Sequence, residues 1–156
     1  SDLEGVDAVV STVGVGTANT PTQLYSAGTK NLLAAMGHHG VERLVVISSE
    51  VAEHWAHQGL LKLWIVLPLL QHFLGATYDD MRRMDIVLWE SDARWTAIRA
   101  PRIQPVRPGK AKNRYRLSVS APVPRGWMIT APDMATALLD IAERNDLNRR
   151  HVYVAN

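Results

Sequence analysis

Strand-like and helix-like segments alternate along this chain with short loops between them, which predicts an α/β protein with a largely parallel sheet. Three observations carry that expectation. "VDAVVSTV", Val6–Val13, and "RLVVISS", Arg43–Ser49, are near-continuous apolar runs, as in strands buried on both faces. A helix-period segment separates them. The 156 residues, 47% hydrophobic and 21% charged, suit a single domain with one buried core.

Each element follows from local pattern. Gly5 and Gly14 bound the first strand. From Pro21 to Met36 the pattern turns helical, with Leu24, Gly28, Asn31 or Leu32, and Ala35 on one face and Gly37 as the C-terminal cap. After the second strand, a helix is expected over Thr77–Ser91, with Met81, Met84, Val87 and Leu88 on one side. "RWTAIRAP", Arg94–Pro101, is a third strand stopped by its proline. Asn113–Ser120 alternates Tyr115, Leu117 and Val119 with polar residues, as a half-exposed strand does. A last helix spans Pro132–Asn145, with Pro132 in its first turn and Asp133 complementing the dipole. Its apolar face is Met134, Ala135, Leu138, Leu139, Ile141 and Ala142. "HVYVA", His151–Ala155, closes the chain as a short strand.

Composition excludes several classes. There is no cysteine, so neither a disulfide framework nor a thiolate metal site can form. That pattern fits a reducing cytoplasm. The most apolar stretch, Leu60–Gly75, falls short of the ~20 residues a bilayer needs and carries Lys62, Pro68 and His72, so it reads as buried or interfacial surface. Net charge is +2, but no acidic residue lies between Asp92 and Asp133, while Arg94, Arg99, Arg102, Arg107, Lys110, Lys112, Arg114, Arg116 and Arg125 do. That asymmetry points to an anionic partner near the segment. Tyr115 and Trp127 interleave with it, yet it holds no nucleic-acid recognition motif and four prolines make most of it loop, which favours a solvated face or a site for a small anion. His54 and His57, beside Glu53, have no evident third ligand, so no metal is expected.

"DAVVSTVGVGTANTP", Asp7–Pro21, has the layout of a dinucleotide-binding βα turn, with Gly14-x-Gly16. Asn19 stands where the third glycine would fall, and Glu50, the acid that could bind a ribose, comes roughly 35 residues later rather than the ~20 of the fingerprint. Local pattern leaves open whether this is the phosphate loop or another strand-tip loop of the same kind of fold.

"GVDAVVSTVG", "LYSAGTKNLLAAMGHHGVERLVVISS", "DDMRRMDIVLWESDARWTAIRAPRI" and "RYRLSV" together resemble the later part of an atypical short-chain dehydrogenase/reductase. The resembling subgroup is the NAD(P)H-binding one of NmrA-like proteins and biliverdin/flavin reductases. The resemblance implies a Rossmann-like, doubly wound, mainly parallel sheet, seen here without its N-terminal βαβ unit and phosphate loop, with residues 1–156 as one NAD(P)-binding domain. Ser1 running straight into "DLEGVDAVV" leads to the same expectation of an earlier segment.

Open α/β sheets bind ligands at the carboxyl ends of their strands. Thr12, Val13 and Gly14 end the first strand, Ser48 and Ser49 the second, and Pro101, Arg102 and Ile103 follow the third. The resemblance implies that all of these line NAD(P)H, with Ser48 able to polarise a substrate carbonyl; the plain alternatives are a turn, a capping serine and a rigid proline bend. Tyr78 and Arg82 share a helix face. The superfamily has Tyr-x-x-x-Lys there, and the biliverdin/flavin reductase subgroup lacks it. Tyr78 as proton donor with Arg82 as its cation therefore competes with an ordinary packed aromatic. The implied activity is hydride transfer to a flavin-, quinone- or tetrapyrrole-like acceptor, or another small aromatic or carbonyl compound. The alternative is a non-catalytic NmrA-like cofactor sensor or interaction protein. Trp55, Trp64 and Leu60–Leu74 are expected to wall the acceptor pocket or to form a homodimer face.

Overall fold

A computed structural model describes residues 3–15, 21–50, 67–105 and 114–156, with backbone alone over 67–74. Strands β1 (Ala8–Ser11), β2 (Arg43–Ser49), β3 (Arg94–Ala100) and β7 (Arg150–Ala155) lie side by side and parallel. β5 (Arg116–Ser118) pairs antiparallel with β7, which gives the order β1-β2-β3-β7-β5. A separate two-stranded ribbon joins β4 (Arg102–Gln104) to β6 (Met128–Thr130). Helices α1 (Leu24–His39) and α2 (Leu67–Glu90) pack on one face of the large sheet, and α3 (Ala131–Ala142) on the other. This is the doubly wound, mainly parallel architecture that the sequence predicts.

Strand alternation divides the core into two layers. Leu44 and Val46 of β2, with Trp95 and Ala97 of β3, meet Tyr25 and Met36 of α1 and Tyr78, Met81, Met84 and Leu88 of α2. Val45, Ile98, Val152 and Val154 point the other way, onto Met134, Ala137, Leu138 and Ile141 of α3.

Several elements depart from their expected form. β1 is half-buried throughout rather than covered on both faces; among the described residues it pairs only with β2 and forms an edge. In α1 the buried residues are Tyr25, Ser26, Thr29 and Met36; the expected face of Leu24, Gly28, Leu32 and Ala35 stays partly open. Its cap is Gly40 in the left-handed region (φ 69°), which lets Val41 N–H reach back to Met36 O at 3.0 Å, so Gly37 is interior. α2 begins ten residues earlier than expected, at Leu67, with Pro68 tolerated in its first turn. In α3, Ala135 and Leu139 face solvent and Ala137 is buried, while Met134, Leu138 and Ile141 of the expected face stay buried. β4 and β6 were not predicted; at three residues each they are too short to show a period.

Two buried polar side chains join the layers. Arg43, at the start of β2, donates to Ile141 O (2.6 Å) and Ala142 O (3.1 Å) at the end of α3, and to Arg94 O (2.7 Å) and Thr96 Oγ1 (2.9 Å) of β3. Burial, and then Arg94 nearby, pulls its pKa below the ordinary arginine value; the negative end of the α3 dipole compensates in part. Asp80 of α2, wholly buried, caps α1 from a distance. It accepts from Tyr25 N (2.9 Å), Ser26 N (3.4 Å) and the Ser26 hydroxyl, three donors that α1 cannot satisfy internally.

Replacing Arg43 by Met strips the donor from four acceptors, two of them in buried contacts, so denaturant unfolding should show a loss of about 3 kcal/mol. Asp80→Ala should cost about 2 kcal/mol by the same measurement, and Asp80→Asn, which keeps an acceptor oxygen, clearly less.

Candidate functional site

The carboxyl ends of β1, β2 and β3 come together at one edge of the sheet. Register pairs Ser11 with Val46, Ser48 with Arg99, and Ser49 with Ala100. Thr12, Val13 and Gly14 therefore leave β1 beside the last residues of β2, and Pro101, Arg102 and Ile103 leave β3 on the other side. Thr12, Val13, Gly14, Arg102 and Ile103 are exposed; Ser49 and Pro101 are half-buried. All of the residues assigned from the strand-tip rule, apart from Ser48, open onto this edge. Ile103 lies in the β4–β6 ribbon, level with Ile129.

Tyr25 holds the loop after β1, a role no sequence signal indicated. Val15 N–H donates to its hydroxyl at 3.3 Å, and that hydroxyl lies 3.5 Å from where a Cβ on Gly14 would stand. That is ordinary contact, so the crevice side of Gly14 is open without being forced by packing. Below the tip, Ser11, Val13, Val46 and Met84 join Leu24 and Gly28 of α1 around an apolar groove of about 320 Å³. The partly open face of α1 is one of its walls.

Ser48 sits one layer deeper, only 2% exposed. Its Oγ accepts from Arg99 Nη1 at 2.8 Å, and Arg99 Nη2 in turn donates to Asp85 Oδ2 of α2 at 2.7 Å. The other Asp85 oxygen lies 3.2 Å from His151 Nε2 on β7. Because Ser48 accepts from a guanidinium, its own proton is the one left to donate. The sequence reading placed Arg99 within a basic, solvent-facing stretch; it is instead an interior cation neutralised by Asp85. The signal was present, since Arg99 falls among the apolar positions of "WTAIRA".

The Tyr-plus-cation arrangement is not assembled. Tyr78 is buried between α1 and α2, where burial first and Tyr25 second push its phenol above the usual value of 10.0. A positioned cation would lower it. Arg82 instead donates to Asp79 Oδ1 at 2.7 Å on the outer side of α2. Glu50 is 4% exposed, which removes it from a ribose-binding position. Gly16, Asn19, Glu53, His54, Trp55, His57 and Trp64 fall outside the described residues, as do residues 60–66 of the Leu60–Leu74 stretch, whose remainder forms the first turns of α2. Among the described residues, no three His, Asp or Glu side chains converge as metal ligands and no helix is long and apolar enough to cross a membrane.

The donor set at the crevice suits the nicotinamide half of a dinucleotide: open backbone at Gly14, the Ser49 hydroxyl, and apolar Val13 and Ile103 for a ring face, with Arg102 as a nearby cation. Known proteins share the fold. A candidate exported protein from Burkholderia pseudomallei superimposes with a TM-score of 0.76 at 22% identity, covering 99% of this chain and 74% of that one. A candidate NADH-flavin reductase from Streptococcus pneumoniae gives 0.73 at 18%, with 99% and 74% covered. A wide-type short-chain dehydrogenase/reductase from Veillonella parvula, solved with NADP, gives 0.68 at 16%, with 86% and 60% covered. The chain thus spans 60–74% of the length of these three structures, and the likeness establishes a Rossmann-like fold. Residues 1–145, which include the three strands whose tips form the crevice, match the sequence profile of one family, and the chain belongs to it: the NAD(P)H-binding family.

Proposed function

We propose that the protein is an NAD(P)H-dependent reductase that passes hydride to a planar apolar acceptor of the flavin, quinone or tetrapyrrole kind. The observation that carries this reading is the convergence of Thr12–Gly14, Ser49 and Pro101–Ile103 on the carboxyl edge of three adjacent parallel strands, with Ser48 buried just beneath. The Streptococcus pneumoniae and Veillonella parvula proteins, named for NADH-flavin reduction and solved with NADP, support the same chemistry here. When bound, the nicotinamide supplies the hydride. Val13 and Ile103 offer apolar surface to its ring, Gly14 leaves room for close backbone approach, Pro101 stiffens the turn over the site, and Arg102 supplies positive charge for a phosphate. Ser48, buried one layer below the crevice and hydrogen-bonded to Arg99, does not reach the acceptor and braces the strand tip that carries Ser49.

The second reading, a non-catalytic cofactor sensor, draws on one observation: Tyr78 is buried with a raised pKa, and Arg82 is engaged by Asp79. Such a site lacks the acid that carbonyl reduction normally uses. A quinone or flavin acceptor does not require that acid, which is why the reductase reading stays ahead.

Mixing the purified protein with NADPH and, separately, FMN, a benzoquinone or biliverdin should consume the nicotinamide absorbance band with at least one acceptor. Saturable NADPH binding without turnover would transfer the case to the sensor, and absence of binding would remove both readings. In an active preparation, Tyr78→Phe should change kcat by less than about threefold, against the 10²–10⁴ lost with a true general acid.

A further inference from the structure

At the other end of the sheet, beside the start of β7, a groove of about 470 Å³ opens between α2 and the segment after β5. Trp89, Ser120, Asn148, Arg149, Arg150 and His151 are among its lining residues, and no carboxylate lines it. It is separate from the cofactor crevice: Arg150 is in register with Thr96 near the start of β3, whereas the crevice lies beyond Ala100 at its end.

The groove is built rather than incidental. The Trp89 side chain is more than half exposed yet held in place. Its ring stands edge-on to the buried Trp95 (4.9 Å, 82°), and its carbonyl accepts from Arg149 Nη2 at 2.9 Å. Arg149 also donates to Ser91 O, and its backbone N–H to Trp95 O at 2.6 Å. These contacts keep Arg149 at φ 55°, a left-handed conformation that costs a non-glycine residue about 1 kcal/mol or more. His151 is packed on Trp95 (5.2 Å) and fixed through Nε2 by Asp85, whose other oxygen Arg99 already occupies. Asn148 Oδ1, in the wall, is buried without a hydrogen-bond partner, an acceptor that a ligand hydroxyl or amine would satisfy. Arg150 is exposed and supplies positive charge; the Asp146 carboxylate near it is itself paired with Arg144.

A rigid aromatic wall, two arginines and an unsatisfied acceptor define one ligand chemistry. We propose that this groove is a second small-molecule site, taking a planar aromatic carboxylate with its ring against Trp89 and its acid group at Arg150. It does not depend on the reductase reading.

Calorimetric titration of the intact protein with 4-hydroxybenzoate should give saturable binding, with 4-hydroxybenzylamine and inorganic phosphate as controls that bind at least about tenfold more weakly. Arg150→Gln and Trp89→Ala should each weaken 4-hydroxybenzoate about tenfold, the size of one charge-assisted hydrogen bond or one stacked ring. Both should leave NADPH affinity unchanged, so that failure here is distinct from failure at the crevice. No saturable heat, equal binding of phosphate, or an unaltered affinity in Arg150→Gln would each overturn the proposal. Arg150 is a surface residue whose loss does not threaten folding, so that variant decides the matter if Trp89→Ala unfolds.

Discussion

One buried arginine sets the frame on which the rest is built. Arg43 has no carboxylate partner among its hydrogen bonds; carbonyls and a hydroxyl receive its guanidinium instead. Two of those carbonyls end α3 and one begins β3, so a single side chain fastens the helix layer to the sheet and β2 to β3. The consequence reaches the far edge. β2 and β3 are seven residues each and pair level from Arg43–Arg94 to Ser49–Ala100. Fixing where both strands start fixes where both end, and the crevice is the place where they end. A fixed fork of five donors is the group suited to four acceptors at once, which an ammonium could not match.

The helix α2 carries three consequences at helical spacing. Asp80 closes the amino end of α1, Asp85 neutralises Arg99 under the crevice, and Trp89 walls the second groove. Positions 80, 85 and 89 lie within three turns, so a rotation of this helix would disturb all three sites together. Asp85 links the two ends most directly. It is hydrogen-bonded to an arginine that orients a strand-tip serine and lies against a histidine that lines the groove near the other edge.

The fold was legible because its signals are long and periodic. The strand Arg43–Ser49 is legible from a near-continuous apolar run, and the strand from Arg94 ends at Ala100, where Pro101 marks the stop. The positions of Thr12–Gly14 and Arg102–Ile103 at one sheet edge followed from the same reading, since strand ends in a parallel sheet converge. What failed depended on partners far away in sequence. α1 was assigned the wrong buried face because its true inner side is polar: Ser26 and Thr29 are buried, and Asp80 receives Ser26. No local periodicity reveals a helix capped by another helix more than fifty residues later. Arg99 was read as solvated because a run of like charges usually is, and Asp85 lies outside that run. β4 and β6 exist by pairing with each other, and three residues of either carry no pattern alone.

The internal arginines also revise what the basic segment can do. Arg99 is neutralised by Asp85, Arg116 is committed to the carbonyls of Pro124 and Asn156, and Arg94 lies 3.3 Å from Glu42. Of the six cations described in that acid-free stretch, Arg102, Arg114 and Arg125 remain exposed without such commitments among the described residues. Nucleic acid requires contiguous positive surface that releases several counterions together. A chain that spends half of its described cations on internal acceptors builds isolated charges instead. Among the described residues, part of the charge asymmetry in the sequence therefore serves bonds within the chain, and Arg102 stands exposed beside the strand-tip crevice.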